Sequence, residues 1–184
     1  MKTILNNPSL NLFQKVLLTT DGSVTELLSL YTRRNITARK IEQFVGAGDP
    51  PAVLSCNGET PLLQRKVMLT DTDFCTNYLF AQSTFILDRL TKSTQHKLLE
   101  TEVPIGLIWK EEKTEMFREI IDIRIEKCAD TSLLFDLPAD TDLLSRTYLL
   151  YQSSAPFGMI TEKFPLNSFN KPESAFTLVR NRCS

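Results

Sequence analysis

The fold of this protein is decided by residues 146–164, which read RTYLLYQSSAPFGMITEKF. Apolar side chains recur at alternate positions on both sides of Ser153–Pro156, and this period of two is typical of strands that bury one face. The short interval between the strands predicted at 146–152 and 157–164 indicates a β-hairpin. The hairpin in turn predicts an antiparallel sheet.

The same reasoning places further elements along the chain. Period-two stretches predict four more strands, at residues 36–45, 62–71, 78–87 and 117–126, and a second hairpin turn at Thr72–Asn77. Helical spacing predicts helices at 9–18, 24–31 and 94–101, and Ser23 with Glu26 matches a capping box. These elements predict an α+β fold, formed by a single domain over residues 1–184. We expect an antiparallel sheet of about six strands with helices packed on one side, enclosing a ligand pocket.

The composition excludes several classes of function. The 184 residues carry 21 Lys and Arg against 22 Asp and Glu, a formal net charge of -1. No run of basic residues offers the clustered cations that nucleic-acid phosphates require. No stretch approaches the roughly 18 apolar residues of a membrane span, and residues 1–13 lack a secretory signal pattern. We expect a cytoplasmic protein without nucleic-acid partners.

The sequence lacks the residues that usually form metal sites and catalytic nucleophiles. The four cysteines lie far apart in the sequence and form no C-x-x-C pair. The single histidine, His96, lies in a polar stretch typical of an exposed helix start. The residues needed for a zinc site or for a Ser-His-Asp hydrolase are therefore missing, and we expect no metal and no cofactor.

Two charged residues fall on apolar strand faces. Alternation places Arg65 on the same face as Val67, and Glu162 on the same face as Ile160. A charge withdrawn from water costs several kcal/mol unless it is paired or hydrogen-bonded. One interpretation is an ion pair between the two residues across the sheet. The other is a pocket in which the planar Arg65 guanidinium binds a ligand carboxylate and Glu162 meets a ligand hydroxyl or proton.

Five segments stand in a characteristic order along the chain. They are LTTDGSVT at 18–25, LQRKVML at 63–69, FAQST at 80–84, VPIGL at 103–107 and the hairpin at 146–165. Together they resemble the chorismate pyruvate-lyase family, which makes 4-hydroxybenzoate for quinone biosynthesis. The similarity extends in order from about residue 16 to residue 166.

The resemblance implies a reaction and roles for four residues. Arg65 would bind a substrate or product carboxylate, and Glu162 would bind the ring hydroxyl. Val24 and Ile105 match positions whose main chain, and the wall beside it, line the family's product pocket. The implied reaction eliminates the enolpyruvyl group of chorismate to give 4-hydroxybenzoate and pyruvate. It needs no cofactor, and family precedent implies a monomer.

The chain departs from the better-known branch of the family at two positions. Ser83 and Leu107 stand where that branch has arginines, so the second carboxylate of chorismate needs another cation. Arg118 and Arg146 are the candidates. This arginine-poor form is similar to the divergent cyanobacterial and plastid-type branch, which implies the plastid stroma as the compartment if the chain is plastid-encoded.

Two other functions fit the same residues. A similar domain serves as the effector-sensing half of some transcription regulators, so one alternative is a non-catalytic domain that senses an aromatic carboxylate. The other is a lyase that acts on a related cyclic carboxylate, because the missing arginines would alter specificity around the ring.

Overall fold

The structure is a computed structural model that describes residues 2–56, 58–101 and 103–169. Its strands are β1 Ile36–Gly46, β2 Leu62–Asp71, β3 Asn77–Ile86, β4 Phe117–Lys127, β5 Asp142–Gln152 and β6 Ala155–Pro165. Its α-helices are α1 Lys2–Leu5, α2 Leu12–Thr19, α3 Val24–Thr32, α4 Lys92–Glu100, α5 Ile105–Glu111 and α6 Ala129–Leu133. Short 3-10 turns are present at Ala52–Leu54 and Leu87–Arg89.

The strands of the described residues form one antiparallel sheet in the order β1-β2-β3-β6-β5-β4. Each half of the sheet consists of three consecutive strands, and the halves meet where β3 pairs with β6. Both predicted hairpins are present, since β2 pairs with β3 and β5 pairs with β6. The predicted α+β class and six-stranded antiparallel sheet are therefore confirmed.

Apolar side chains hold the helices against one face of the sheet in two clusters. Leu18 of α2 and Leu28 of α3 pack with Phe164 of β6 in the first cluster. Leu98 of α4 and Trp109 of α5 belong to the second. Full burial of a leucine or phenylalanine side chain stabilises the fold by about 1.5–3 kcal/mol. The two clusters leave a space between them, above the middle of the sheet.

Part of the opposite face is covered as well. Leu54, in the 3-10 turn that follows Pro50 and Pro51, packs against Leu62 and Ile86. No element was predicted for this segment, because a single turn presents no periodic pattern. Among the described residues, no helix has both the length and the apolar character needed to cross a bilayer.

Capping residues set where the helices begin. The Ser23 hydroxyl accepts a hydrogen bond from the Glu26 backbone N–H at 3.3 Å, so α3 begins at Val24 as predicted. The other half of the predicted capping box is replaced, because the Glu26 carboxylate pairs with Lys110 of α5. Helix α5 was not predicted, since its seven residues are too few to show a clear period.

Candidate functional site

A pocket lies between the sheet and the starts of two helices. Its floor is the helix-facing side of the sheet, and its walls are the first turn of α3 and residues 103–106, which lead into α5. The space between its lining residues amounts to about 670 Å³, including the part that opens to solvent. Most of its lining is apolar, and includes Val67, Leu79, Ala81, Trp109 and Ile160.

All four residues that the sequence analysis assigned to a site line this pocket: Val24, Arg65, Ile105 and Glu162. Val24 and Ile105 are the first residues of α3 and α5, whereas Arg65 and Glu162 project from the sheet. Ser83, which stands where an arginine was expected, also faces the pocket. The structure brings the four residues together, and their roles in binding and catalysis stay predictions.

Arg65 presents a cation without a partner. Its side chain projects from β2 opposite Ser83 of β3, and only 4% of the residue is exposed. No other described residue pairs with the guanidinium, and its buried Nε has no acceptor. Burial lowers the pKa of Arg65, but an arginine stays protonated at neutral pH. Because an unpaired buried cation is costly, the position favours an anionic ligand.

Glu162 is held by two residues of the neighbouring strand β5. Its Oε2 accepts a hydrogen bond from Arg146 Nε at 2.6 Å, and its Oε1 accepts one from Tyr148 OH at 3.0 Å. The ion pair considered between Arg65 and Glu162 is therefore not formed. Since β3 separates β2 from β6, two strand spacings and a two-residue offset put the Cα atoms of Arg65 and Glu162 roughly 12 Å apart.

Tyr148 is a pocket residue that the sequence analysis missed. It is buried, and it lines the pocket beside Glu162. Burial, followed by the negative charge of Glu162, raises the pKa of the hydroxyl, so it remains a hydrogen-bond donor at neutral pH. Alternation from Arg146 along β5 places Tyr148 on the same face, which was an available signal. An aromatic residue on a core face, however, usually indicates packing.

Two arginines hold the turn that precedes α3. Arg146 Nη1 donates to the Thr20 carbonyl at 3.1 Å, and Arg118 Nη1 donates to the Gly22 carbonyl at 3.1 Å. The Arg118 guanidinium also lies over the Tyr148 ring, 4.6 Å from its centroid. Of the two candidates for a second ligand cation, Arg118 lines the pocket and Arg146 does not.

The pocket therefore combines an unpaired cation, a hydrogen-bonded carboxylate and apolar walls. Such a site can bind the carboxylate of a flat ring on one side and a polar ring substituent on the other. Apolar walls lower the local dielectric constant, which strengthens both electrostatic contacts. Within the described ranges, no three His, Cys, Asp or Glu side chains are grouped so that they could hold a metal ion.

Several solved structures share this fold. The crystal structure of PhnF from Mycobacterium smegmatis has a TM-score of 0.60 at 17% identity, covering 79% of this chain and 64% of PhnF. The effector domain of the same PhnF has a TM-score of 0.60 at 17% identity, covering 80% and 90%. A GntR-family transcriptional regulator from Bacillus cereus has a TM-score of 0.58 at 11% identity, covering 74% and 95%. At these identities the similarity shows the fold alone.

Comparison of sequences identifies the family. Among curated proteins, none matches this chain. Residues 18–171, which include the whole sheet and every residue assigned to the pocket, match the family described as Chorismate pyruvate-lyase Rv2949c-like. This agrees with the resemblance carried by the five segments, and the chain belongs to the chorismate pyruvate-lyase Rv2949c-like family.

Proposed function

We propose that this protein is a chorismate lyase, which converts chorismate into 4-hydroxybenzoate and pyruvate for quinone biosynthesis. One observation carries the proposal: the unpartnered Arg65 guanidinium and the Glu162 carboxylate line the same apolar pocket without pairing with each other. Membership of the family supports the reaction class. The two side chains offer the groups that a hydroxylated ring acid requires.

Arg65 would bind the ring carboxylate. Its guanidinium offers parallel N–H donors that match the two oxygens of a carboxylate. The first turn of α3 adds backbone N–H groups that have no acceptor within the helix, and the Ser23 hydroxyl satisfies the one of Glu26. Val24 opens this turn, so its main chain would contact the carboxylate, and Ile105 would form the apolar wall beside it.

Glu162 would act at the far side of the ring. In chorismate, the carbon that keeps the hydroxyl also loses its hydrogen, so a carboxylate placed there can hold the hydroxyl or take the proton. The electron pair of the broken C–H bond completes the aromatic ring while the C–O bond on the adjacent carbon breaks and enolpyruvate leaves. Arg146 and Tyr148 would orient the carboxylate for this step.

The proposed reaction requires few further catalytic groups. Gain of aromaticity drives the elimination, so positioning, exclusion of water and charge placement suffice, and no cofactor takes part. We expect the enzyme to act as a monomer in the cytoplasm, or in the plastid stroma if the chain is plastid-encoded.

The test is to incubate the purified protein with chorismate and to measure 4-hydroxybenzoate and pyruvate together. We expect equal amounts of both products, and a kcat/KM that falls by roughly a hundredfold or more in Arg65→Ala and in Glu162→Gln. Lys66→Ala is the control for Arg65, because Lys66 lies on the opposite face of β2 and pairs with Glu42. Glu119→Gln is the control for Glu162.

Glu119 is a close match because its carboxylate also accepts a hydrogen bond from a tyrosine, Tyr151, but at the protein surface. If no product forms and 4-hydroxybenzoate binds in an Arg65-dependent way, the protein is a ligand-sensing domain. Turnover of a related cyclic carboxylate in place of chorismate would identify a lyase of different specificity. Absence of both turnover and binding would contradict the proposal.

A further inference from the structure

We infer that Arg118 forms a second carboxylate site at the mouth of the pocket, so that the protein selects a dianionic ring substrate over a ring with one carboxylate. The inference rests on the proposed function, because chorismate carries a second carboxylate on its enolpyruvyl group. It also assigns to β4 the cation that the sequence lacks at Ser83 and Leu107.

The position of Arg118 fits a substituent that points out of the pocket. Arg118 lines both the inner pocket and an outer cleft of about 840 Å³, open solvent included, which is also lined by Asp21 and Glu26. Gly22, Ser23, Gly106 and Trp109 are also shared by the two spaces. A ring held inside by Arg65 would therefore direct its side group past Arg118.

The guanidinium of Arg118 has N–H donors that are not used within the protein. One of its nitrogens, Nη1, donates to the Gly22 carbonyl at 3.1 Å and to the Thr20 carbonyl at 3.5 Å, whereas its buried Nε has no acceptor. The cation lies over the Tyr148 ring, 4.6 Å from its centroid, and this contact holds the guanidinium beside the pocket. Arg146 also has a buried nitrogen without an acceptor, Nη2, but its Nε donates to Glu162 and the residue does not line the pocket.

The charge around the pocket matches two carboxylates. Three guanidiniums, those of Arg65, Arg118 and Arg146, surround a single carboxylate, that of Glu162, which leaves a net of two positive charges. Apart from Arg118, which both spaces share, the outer cleft is lined by two cations, Lys110 and Lys113, and two anions, Asp21 and Glu26. A dianion would neutralise the site, whereas a monoanion would leave one positive charge without a partner.

The experiment compares a dianionic and a monoanionic ligand in Arg118→Met. We expect the KM for chorismate to rise at least tenfold, and the Kd for 4-hydroxybenzoate to stay within about twofold of wild type. Arg118→Lys keeps the charge but loses the planar donor fork, so its KM should lie between the two. Arg124→Met is the matched control, because Arg124 is on the same strand and pairs at the surface with Asp122 and Glu126.

Two results would overturn the inference. An unchanged KM for chorismate in Arg118→Met would show that Arg118 does not contact the second carboxylate. Equal weakening of chorismate and 4-hydroxybenzoate would show that Arg118 only supports the turn at Gly22. If Arg118→Met does not fold, as judged by circular dichroism, Arg118→Gln carries the same comparison, because its amide can still donate to that carbonyl.

Failure of the lyase proposal can be distinguished from failure of the second carboxylate site. If the wild-type protein does not turn chorismate over, calorimetry measures the Kd of chorismate directly. Loss of chorismate binding in Arg118→Met with intact 4-hydroxybenzoate binding would then support the second carboxylate site in a protein that is not a lyase. Wild-type binding of chorismate no tighter than that of 4-hydroxybenzoate would overturn it.

Discussion

The buried hydrogen bond between Tyr148 and Glu162 should contribute far more to the free energy of unfolding than the surface hydrogen bond that Tyr151, on the same strand, makes with Glu119. Tyr148 OH donates to Glu162 at 3.0 Å inside the protein, and Tyr151 OH donates to Glu119 at 2.8 Å in contact with solvent. Each phenylalanine substitution removes one hydroxyl from a tyrosine-carboxylate pair. Only the buried carboxylate is left without water to replace the lost donor.

The expected loss in Tyr148→Phe follows from that difference. A hydrogen bond to a charged group contributes about 1.5–3 kcal/mol, which lowers the melting temperature of a chain of this size by roughly 3–12 °C. Tyr151→Phe should leave the unfolding midpoint unchanged within error. Unfolding in urea can be followed by the fluorescence of Trp109, the single tryptophan of the chain, which is packed in the second apolar cluster.

Two outcomes would refute this reasoning. If Tyr148→Phe unfolds at the same urea concentration as wild type, the hydroxyl does not stabilise the buried carboxylate. If both substitutions lower the midpoint equally, burial does not determine the strength of the interaction. An unchanged dependence of the unfolding free energy on urea would show that each comparison concerns stability and not the extent of unfolding.

Two further predictions concern stability away from the pocket. Burial alone would raise the pKa of Asp71, but hydrogen bonds from a backbone amide, a tyrosine and Arg34 lower it below the ordinary 3.8. The contribution of Asp71 to stability is therefore complete above pH 3.8 and is lost as the pH falls through the lowered pKa. In Asp71→Asn, the free energy of unfolding in urea, measured between pH 2 and 6, should fall less steeply with decreasing pH than in wild type. A fall as steep as that of wild type would contradict this. Gly158→Ala should lower the free energy of unfolding by about 1–3 kcal/mol, because the added Cβ would lie 2.5 Å from the buried Phe85 ring. Gly106→Ala, whose Cβ would lie at an ordinary 3.5 Å from the Ser23 hydroxyl, is the control and should unfold like wild type.

Most of the sheet could be predicted because its strands bury one face. Strand β2 occupies Leu62–Asp71 as predicted, and β3, β4 and β6 lie within a residue or two of their predicted ranges. Strand β5 begins at Asp142, four residues earlier than predicted, because Leu143 and Leu144 are both fully buried. A strand that is covered on both faces shows no alternation, so its start was not visible.

Short elements escaped prediction for a related reason. Helix α5 has seven residues and the turn at Ala52–Leu54 has three, so neither repeats its apolar positions often enough to show a period. Both are placed by packing: Ile108 and Trp109 join the second apolar cluster, and Leu54 covers the opposite face. The wall of the pocket formed by residues 103–106 was therefore expected only from the family resemblance.

The pocket shows the same division between local and non-local information. Alternation along β2 and β6 was enough to place Arg65 and Glu162 on the buried face, because the side-chain period of a strand depends only on its own residues. Their partners depended on strand order. Since β5 and not β2 lies beside β6, Arg146 neutralises Glu162 and Arg65 remains free for a ligand. The hairpin that sets Arg146 opposite Glu162 was visible in the sequence. The pairing of β3 with β6, which keeps β2 and Arg65 away from Glu162, joins distant segments and leaves no periodic signal in the chain, so only the tertiary structure could decide that Arg65 was left unpaired.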